Sequence, residues 1–188
     1  MFEEDIKKSV EALNKGGTIL YPTDTIWGIG CDATNAKAVE NVYKIKQRPE
    51  AKSMIILICD SRNIRRFVDN VPQVAYDLIN TIEQPLTIIY QNAKNLAPNV
   101  IGPDGSIAIR VVRKQFTADL IKALGAPIVS SSANISGEPA PILFKEIKSS
   151  IKDNVDHVVS LYQDTVESTK ASMIVKLENN NEFTILRQ

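Results

Sequence analysis

Histidine is almost absent from this chain. His157 is the sole imidazole in 188 residues and sits in the apolar context DHVVSL. Serine or cysteine nucleophiles activated by histidine therefore have no obvious base, and His157 reads as structural. Cysteine is nearly as scarce. Cys31 and Cys59 stand far apart and belong to no CxxC pair, which suits buried thiols in a reducing compartment better than a disulfide framework or a zinc site. No eighteen apolar residues run together, and the opening MFEEDIKKSVEALNKGG lacks a basic segment followed by an apolar one. The expectation is a cytoplasmic protein with no membrane partner, unless residues precede Met1. Neither GxxxxGK followed by Ser or Thr nor GxGxxG occurs, so any nucleotide is held by other means. Formal net charge is zero and aromatics make up 6% of the chain, which argues against a surface devoted to gripping nucleic acid.

What is present is ordinary globular usage, 44% hydrophobic and 23% charged, enough for one domain over residues 1–188. Helical periodicity over Glu4–Lys15 stops at Gly16-Gly17, and a strand over Thr18–Tyr21 ends at Pro22. The stretch PTDTIWGIGCDATN reads as a loop. Thr34 or Asn35 caps a helix whose Val39, Val42, Tyr43 and Lys46 share one face. Further strands are expected at Met54–Ile58, Leu86–Tyr90, Ser106–Val112 and Ala126–Ser130, and near His157–Leu161, Ser172–Leu177 and Glu182–Leu186. Helices are expected from Ser61, from Pro72 to Ile82, over Phe116–Leu124 and over Leu143–Ile151, with a long surface loop over Asn92–Gly105. Such alternation predicts an α/β fold, a twisted mixed β-sheet flanked by helices, with a concave ligand pocket.

Three stretches carry chemistry. KQRPEAKS places Lys46, Arg48 and Lys52 between a helix end and an apolar strand, and Pro49 biases Arg48 away from helical backbone. Cations held there can converge on one anion, and phosphate is the expected one. Residues 37–66 carry a net +5. Arg110 stands in the apolar IAIRVV, where a charge is costly unless it lies at a strand edge or meets an anion. The third stretch, SSSANISG, follows a strand directly. Its small residues leave backbone N–H groups open to an anion, and Ser132 and Asn134 can aim at one ligand.

The chain resembles the YrdC/TsaC family of threonylcarbamoyl-AMP synthases, which begin the t6A modification of tRNA. YPTDTIWGIG, KQRPEAKS, SIAIRV, SSSANISG and the closing ASMIVKL and FTILRQ segments carry the likeness, in order and nearly end to end. The resemblance implies the YrdC-like fold in its single-domain form. It further implies that Lys46, Arg48, Ser132 and Asn134 form the signature tetrad. Thr25, Arg110, Ser130 and Ser172 would hold L-threonine, with its carboxylate as the anion that Arg110 needs. Arg48, Lys52, Ser106, Ser132 and Arg187 would hold ATP. Bicarbonate or CO2 would be the third substrate, Mg²⁺ would arrive with ATP, and the product would pass to threonylcarbamoyl-transferase proteins, with weak tRNA binding as a further partner. Trp27, Ala140 and Met173 depart from the family's usual tyrosine, serine and threonine.

Two rivals stand beside this reading. A double-stranded RNA or tRNA-binding module would use the +5 stretch as an exposed patch. A carbamoyl-handling enzyme of related fold would carry zinc-finger-like and acylphosphatase-like segments, and none is visible.

Overall fold

The computed structural model describes residues 2–49, 54–166, 171–178 and 182–188. Helix α1 (Phe2–Asn14) begins with Glu3, Glu4 and Asp5, where carboxylates favour the positive helix end. Strand β1 (Ile19–Tyr21) is fully buried. Helix α2 (Ala36–Ile45) is capped by Asn35, not Thr34: its side chain accepts from the N–H groups of Lys37 and Ala38 at 3.1 Å each. Val39, Val42 and Tyr43 are buried as their spacing requires, and so is Lys46 just past the helix.

The remaining elements are β3 (Ile55–Ile58), α3 (Gln73–Thr81), β4 (Leu86–Tyr90), β5 (Ile107–Val111), α4 (Gln115–Leu124) and β6 (Ile128–Ser132). After them come α5 (Ser149–Lys152), β7 (His157–Val158), β8 (Met173–Leu177) and β9 (Phe183–Arg187). Together with β2 (Gly28–Gly30) the described strands form one mixed sheet in the order β7-β1-β2-β6-β3-β5-β4-β8-β9. One side of its centre, the in-register row Val129, Ile56, Ile109 and Ile88, is packed into the main apolar core.

Several expectations need correction. Strand β2 lies inside the stretch read as a loop. Glycine hid it, because glycine is a poor strand former; yet a Cβ at Gly30 would lie 2.1 Å from the Val129 carbonyl oxygen, so only glycine permits this pairing. Strand β6 runs two residues beyond Ser130, which puts Ser130, Ser131 and Ser132 in the ladder instead of in an open loop. The first short helix after β3 is a 3-10 turn, Ser61–Arg66, capped by Asp60 and not by Ser61. The helix expected over Leu143–Ile151 is a 3-10 turn at Phe144–Glu146 followed by the short α5; the Glu146 carboxylate accepts the N–H groups of Ile142 and Leu143 and caps the start of that turn. Arg110 lies in β5 between β3 and β4, so it is not at an edge.

Candidate functional site

Side chains alternate across a strand, and residues directly opposite in register share a face. Ser130, Ile55, Ala108 and Ile89 are such a row, and Leu57, Arg110, Thr87 and Ile174 form the next one along. From these rows Ser130, Ile55, Ala108, Ile89, Arg110 and Ile174 line the floor of a cavity of about 390 Å³. Ala108, the smallest side chain at its centre, leaves the depth. Gly28 pairs with Ser132 and extends the floor through β2 and β6.

The loop after β1 closes the Arg110 end. The Thr23 hydroxyl donates to the Ile26 carbonyl at 2.7 Å, so its oxygen accepts from the Thr25 hydroxyl at 2.9 Å and from the Thr25 N–H at 3.1 Å. Thr25 Oγ1 then accepts from Arg110 Nη1 at 3.4 Å. Arg110, only 4% exposed, also lies 3.3 Å from Asp24 Oδ1. Asp24 is thus the anion that the apolar setting of Arg110 demanded, a part the resemblance had assigned to a ligand carboxylate. Arg110 Nε and Asp24 Oδ1 find no hydrogen-bond partner among the described residues.

On the β4–β8 side of Arg110, Arg187 reaches in from β9. Its Nε and Nη2 donate to the Ser172 carbonyl at 2.9 and 2.8 Å, so this penultimate residue is anchored. Ser172 Oγ lies 2.8 Å from Thr87 Oγ1. Removal from water, then the charge of Arg110, lowers the Arg187 pKa. Half-buried Arg48 enters from the third side, where Gln47 turns the chain sharply with φ at 48°. Burial lowers the Arg48 pKa as well. Arg48 and Ser132 therefore border the same cavity, with Thr25, Arg110, Ser130, Ser172 and Arg187.

The other assigned residues are placed differently. Lys46 is 1% exposed, and its ammonium donates to the carbonyls of Ser132 and, at 2.7 Å, of Asn134. Its own carbonyl accepts the Ser136 N–H at 2.8 Å. Burial first, then the charge of Arg48, pushes the Lys46 pKa down to about 8. Asn134 spends its amide on the carbonyls of Ile135 and Glu138, at 3.0 and 2.7 Å. Lys46 and Asn134 thus build the loop and do not border the cavity. The N–H groups of Ala133, Asn134, Ser136 and Glu138 are all donated within the chain. That corrects the reading of open N–H groups at these four positions. Ser106 lies outside the cavity, donating its hydroxyl to Asp104 at 2.6 Å in a turn. Lys52 lies outside the described residues.

Trp27 both packs against Phe144, ring centroids 4.8 Å apart, and borders the cavity, as does Ala140. Met173 lies off the cavity, its sulfur 3.8 Å from Gln84 Nε2. Asp24 and Thr23 went unnoticed in the sequence. The one local signal for them is the polar run PTDT itself, which also holds Thr25. The +5 stretch does not make a uniform basic face: Lys46 is buried, Lys44 pairs with Glu40 and Arg62 with Asp60.

Volume does not select this cavity. Larger hollows of about 620 and 660 Å³ exist, but the first brackets Arg65 with Asp69 and Glu178, and the second mixes lysines with Glu11 and Asp156. In the 390 Å³ cavity the guanidinium groups of Arg48, Arg110 and Arg187 come together, with the Asp24 carboxylate beside Arg110. Forked donors gathered beside serine and threonine hydroxyls define an anion-binding α/β domain. No helix of the described residues is long and apolar enough to cross a membrane.

The chain belongs to the Sua5/YciO/YrdC family, whose model, described as telomere recombination, matches residues 11–188. It is 37% identical over 154 residues to threonylcarbamoyl-AMP synthase of Hahella chejuensis, covering 81% of this chain and 83% of that protein. Among solved structures it is similar to Sua5 of P. abyssi complexed with L-threonine, with a TM-score of 0.85 at 24% identity. That match covers 97% of this chain and 53% of the other, so this chain spans about half of that protein. E. coli YciO is similar over 100% of this chain and 90% of its own, with a TM-score of 0.84 at 23% identity. At these identities the two structures speak for the fold alone.

Proposed function

We propose that this protein is a threonylcarbamoyl-AMP synthase, joining L-threonine, CO2 or bicarbonate, and ATP with release of pyrophosphate in the t6A37 modification of tRNA. The observation that carries the reading is the convergence of Arg48, Ser132, Arg110 and Arg187 on one cavity. The threonine amine loses a proton and attacks the carbon of CO2 to form a carbamate. A carbamate oxygen then attacks the α-phosphorus of ATP, and the bond to the departing pyrophosphate breaks. Carbamate and triphosphate are both anionic, so their approach is opposed by repulsion. Guanidinium groups offset it, and positioning plus charge stabilisation supplies most of the barrier reduction without a protein nucleophile.

The cavity divides the work. Arg110, Thr25, Ser130 and Ser172 take threonine at the inner end, and Arg48, Ser132 and Arg187 take the nucleotide. Lys52 and Ser106 remain candidates on the nucleotide side from resemblance alone. Among the described residues no three His, Cys, Asp or Glu side chains gather to hold a metal. These residues do not fit a Mg²⁺ cage of their own; Mg²⁺ would come on the ATP phosphates as part of the substrate. The compartment that fits two unpaired cysteines is a reducing cytoplasm.

The test is pyrophosphate release from ATP, with L-threonine and bicarbonate each omitted in turn. Release that depends on both is the expected result. Release indifferent to threonine removes the synthase reading.

A further inference from the structure

Asp24 has no part in the reaction above, yet it is the nearest charge to Arg110. Its carboxylate is 3.3 Å from the guanidinium, the two side chains are 10% and 5% exposed, and neither Asp24 Oδ1 nor Arg110 Nε has a hydrogen-bond partner among the described residues. The flanking residues are already committed: the Thr23 proton goes to Ile26 and the Thr25 proton goes to Thr23. A lone buried guanidinium would accept any carboxylate. Paired with Asp24, Arg110 brings little net charge of its own to a ligand that lands on it. A simple carboxylate on Arg110 would then meet the like charge of Asp24 in a place shielded from water, which is costly. An α-amino acid brings an ammonium group next to its carboxylate and restores the balance.

We propose that Asp24 is a specificity-determining residue that makes the Arg110 end of the cavity selective for zwitterions over plain carboxylates. The proposal rests on the synthase reading, because it takes L-threonine as the ligand of this end. It deepens that reading by giving the charge rule that admits threonine. Asp24 acts through the field it sets beside Arg110 and need not touch the reacting atoms.

The experiment is calorimetric titration of the whole chain with L-threonine and with (R)-3-hydroxybutanoate, which differs only in lacking the amine. The wild type is expected to bind L-threonine about thirtyfold or more tightly than the analogue, within the range measured for close charge pairs. Asp24→Asn, which keeps the shape and removes the charge, is expected to narrow the ratio to about threefold, chiefly because the analogue gains. Wild-type affinities within threefold of each other overturn the proposal, as does an Asp24→Asn ratio equal to that of the wild type. If Asp24→Asn does not fold, Asp24→Ser is titrated in its place, and the wild-type ratio stands as a test of its own. Threonine-dependent pyrophosphate release alongside an unchanged ratio sinks this inference alone. A wild type that binds neither compound sinks the synthase reading with it.

Discussion

Lys46 and Arg48 are two residues apart, both cationic, and both leave the same helix end, yet they serve different regions. Lys46 points back into the seam between α2 and the segment after β6, where two carbonyl groups accept hydrogen bonds from its ammonium. Arg48 points forward onto the cavity. Asn134 and Ser132 divide in the same way, the first tying the loop to itself and the second bordering the cavity. The signature tetrad is therefore two pairs. One pair holds the wall, and the other borders the cavity. A shared motif does not imply shared contact with substrate.

The most direct way to break this division is Lys46→Ala. Removing the ammonium leaves the Ser132 and Asn134 carbonyls without their donor in a buried place, at about 1–3 kcal/mol each. A net loss of about 3 kcal/mol would lower Tm by roughly 10 °C for a chain of this length, measured by scanning calorimetry. A Tm close to that of the wild type would show that the seam does not depend on Lys46. Next in size, Arg48→Ala is expected to cut turnover about a hundredfold, the scale of losing one charge-stabilising donor, with Tm within about 2 °C. Near-native pyrophosphate release would remove Arg48 from the cavity face.

Much of this division was legible in the sequence, because the apolar spacing of Val39, Val42 and Tyr43 already pointed Lys46 inward. The alternation of strands and helices likewise announced a mixed sheet. What stayed hidden depended on contacts far apart along the chain. Asp24 meets Arg110 across 86 residues, and no local pattern marks such a pair. Strand β2 was masked because the property that hides Gly30 from a strand reading, its missing side chain, is what lets it lie against Val129. The segment after β6 misled for a related reason: its small residues suggested free N–H groups, while Trp27, Lys46 and Ile135 supply carbonyls that satisfy them.

A finer probe of the facing pair is Ser132→Ala. The hydroxyl borders the cavity while the backbone of Ser132 stays in the ladder with Gly28, so the fold is expected to hold. Turnover should fall about tenfold, the worth of one hydrogen bond of roughly 1–1.5 kcal/mol. A fall in Tm larger than the fall in activity would move Ser132 to the structural pair.

The smallest effect concerns pH and tests what the seam uses Lys46 for. In the folded protein its pKa is pushed down to about 8, against 10.5 for an ordinary lysine. Between pH 8 and 10.5 the unfolded chain therefore holds a proton that the native state has released, so stability contributed by this group rises with pH across that window. Below pH 8 both states are charged and the native state bears the full burial cost. Denaturant unfolding of the wild type and of Lys46→Met at pH 7 and pH 10 isolates the term, with the difference shifting in favour of the wild type at the higher pH. A neutral amine still has two hydrogens for the two carbonyls, so the seam is expected to survive deprotonation. A shift in the opposite direction would mean that the positive charge itself is required there, and Lys46 would then belong with Arg48 in the field of the cavity.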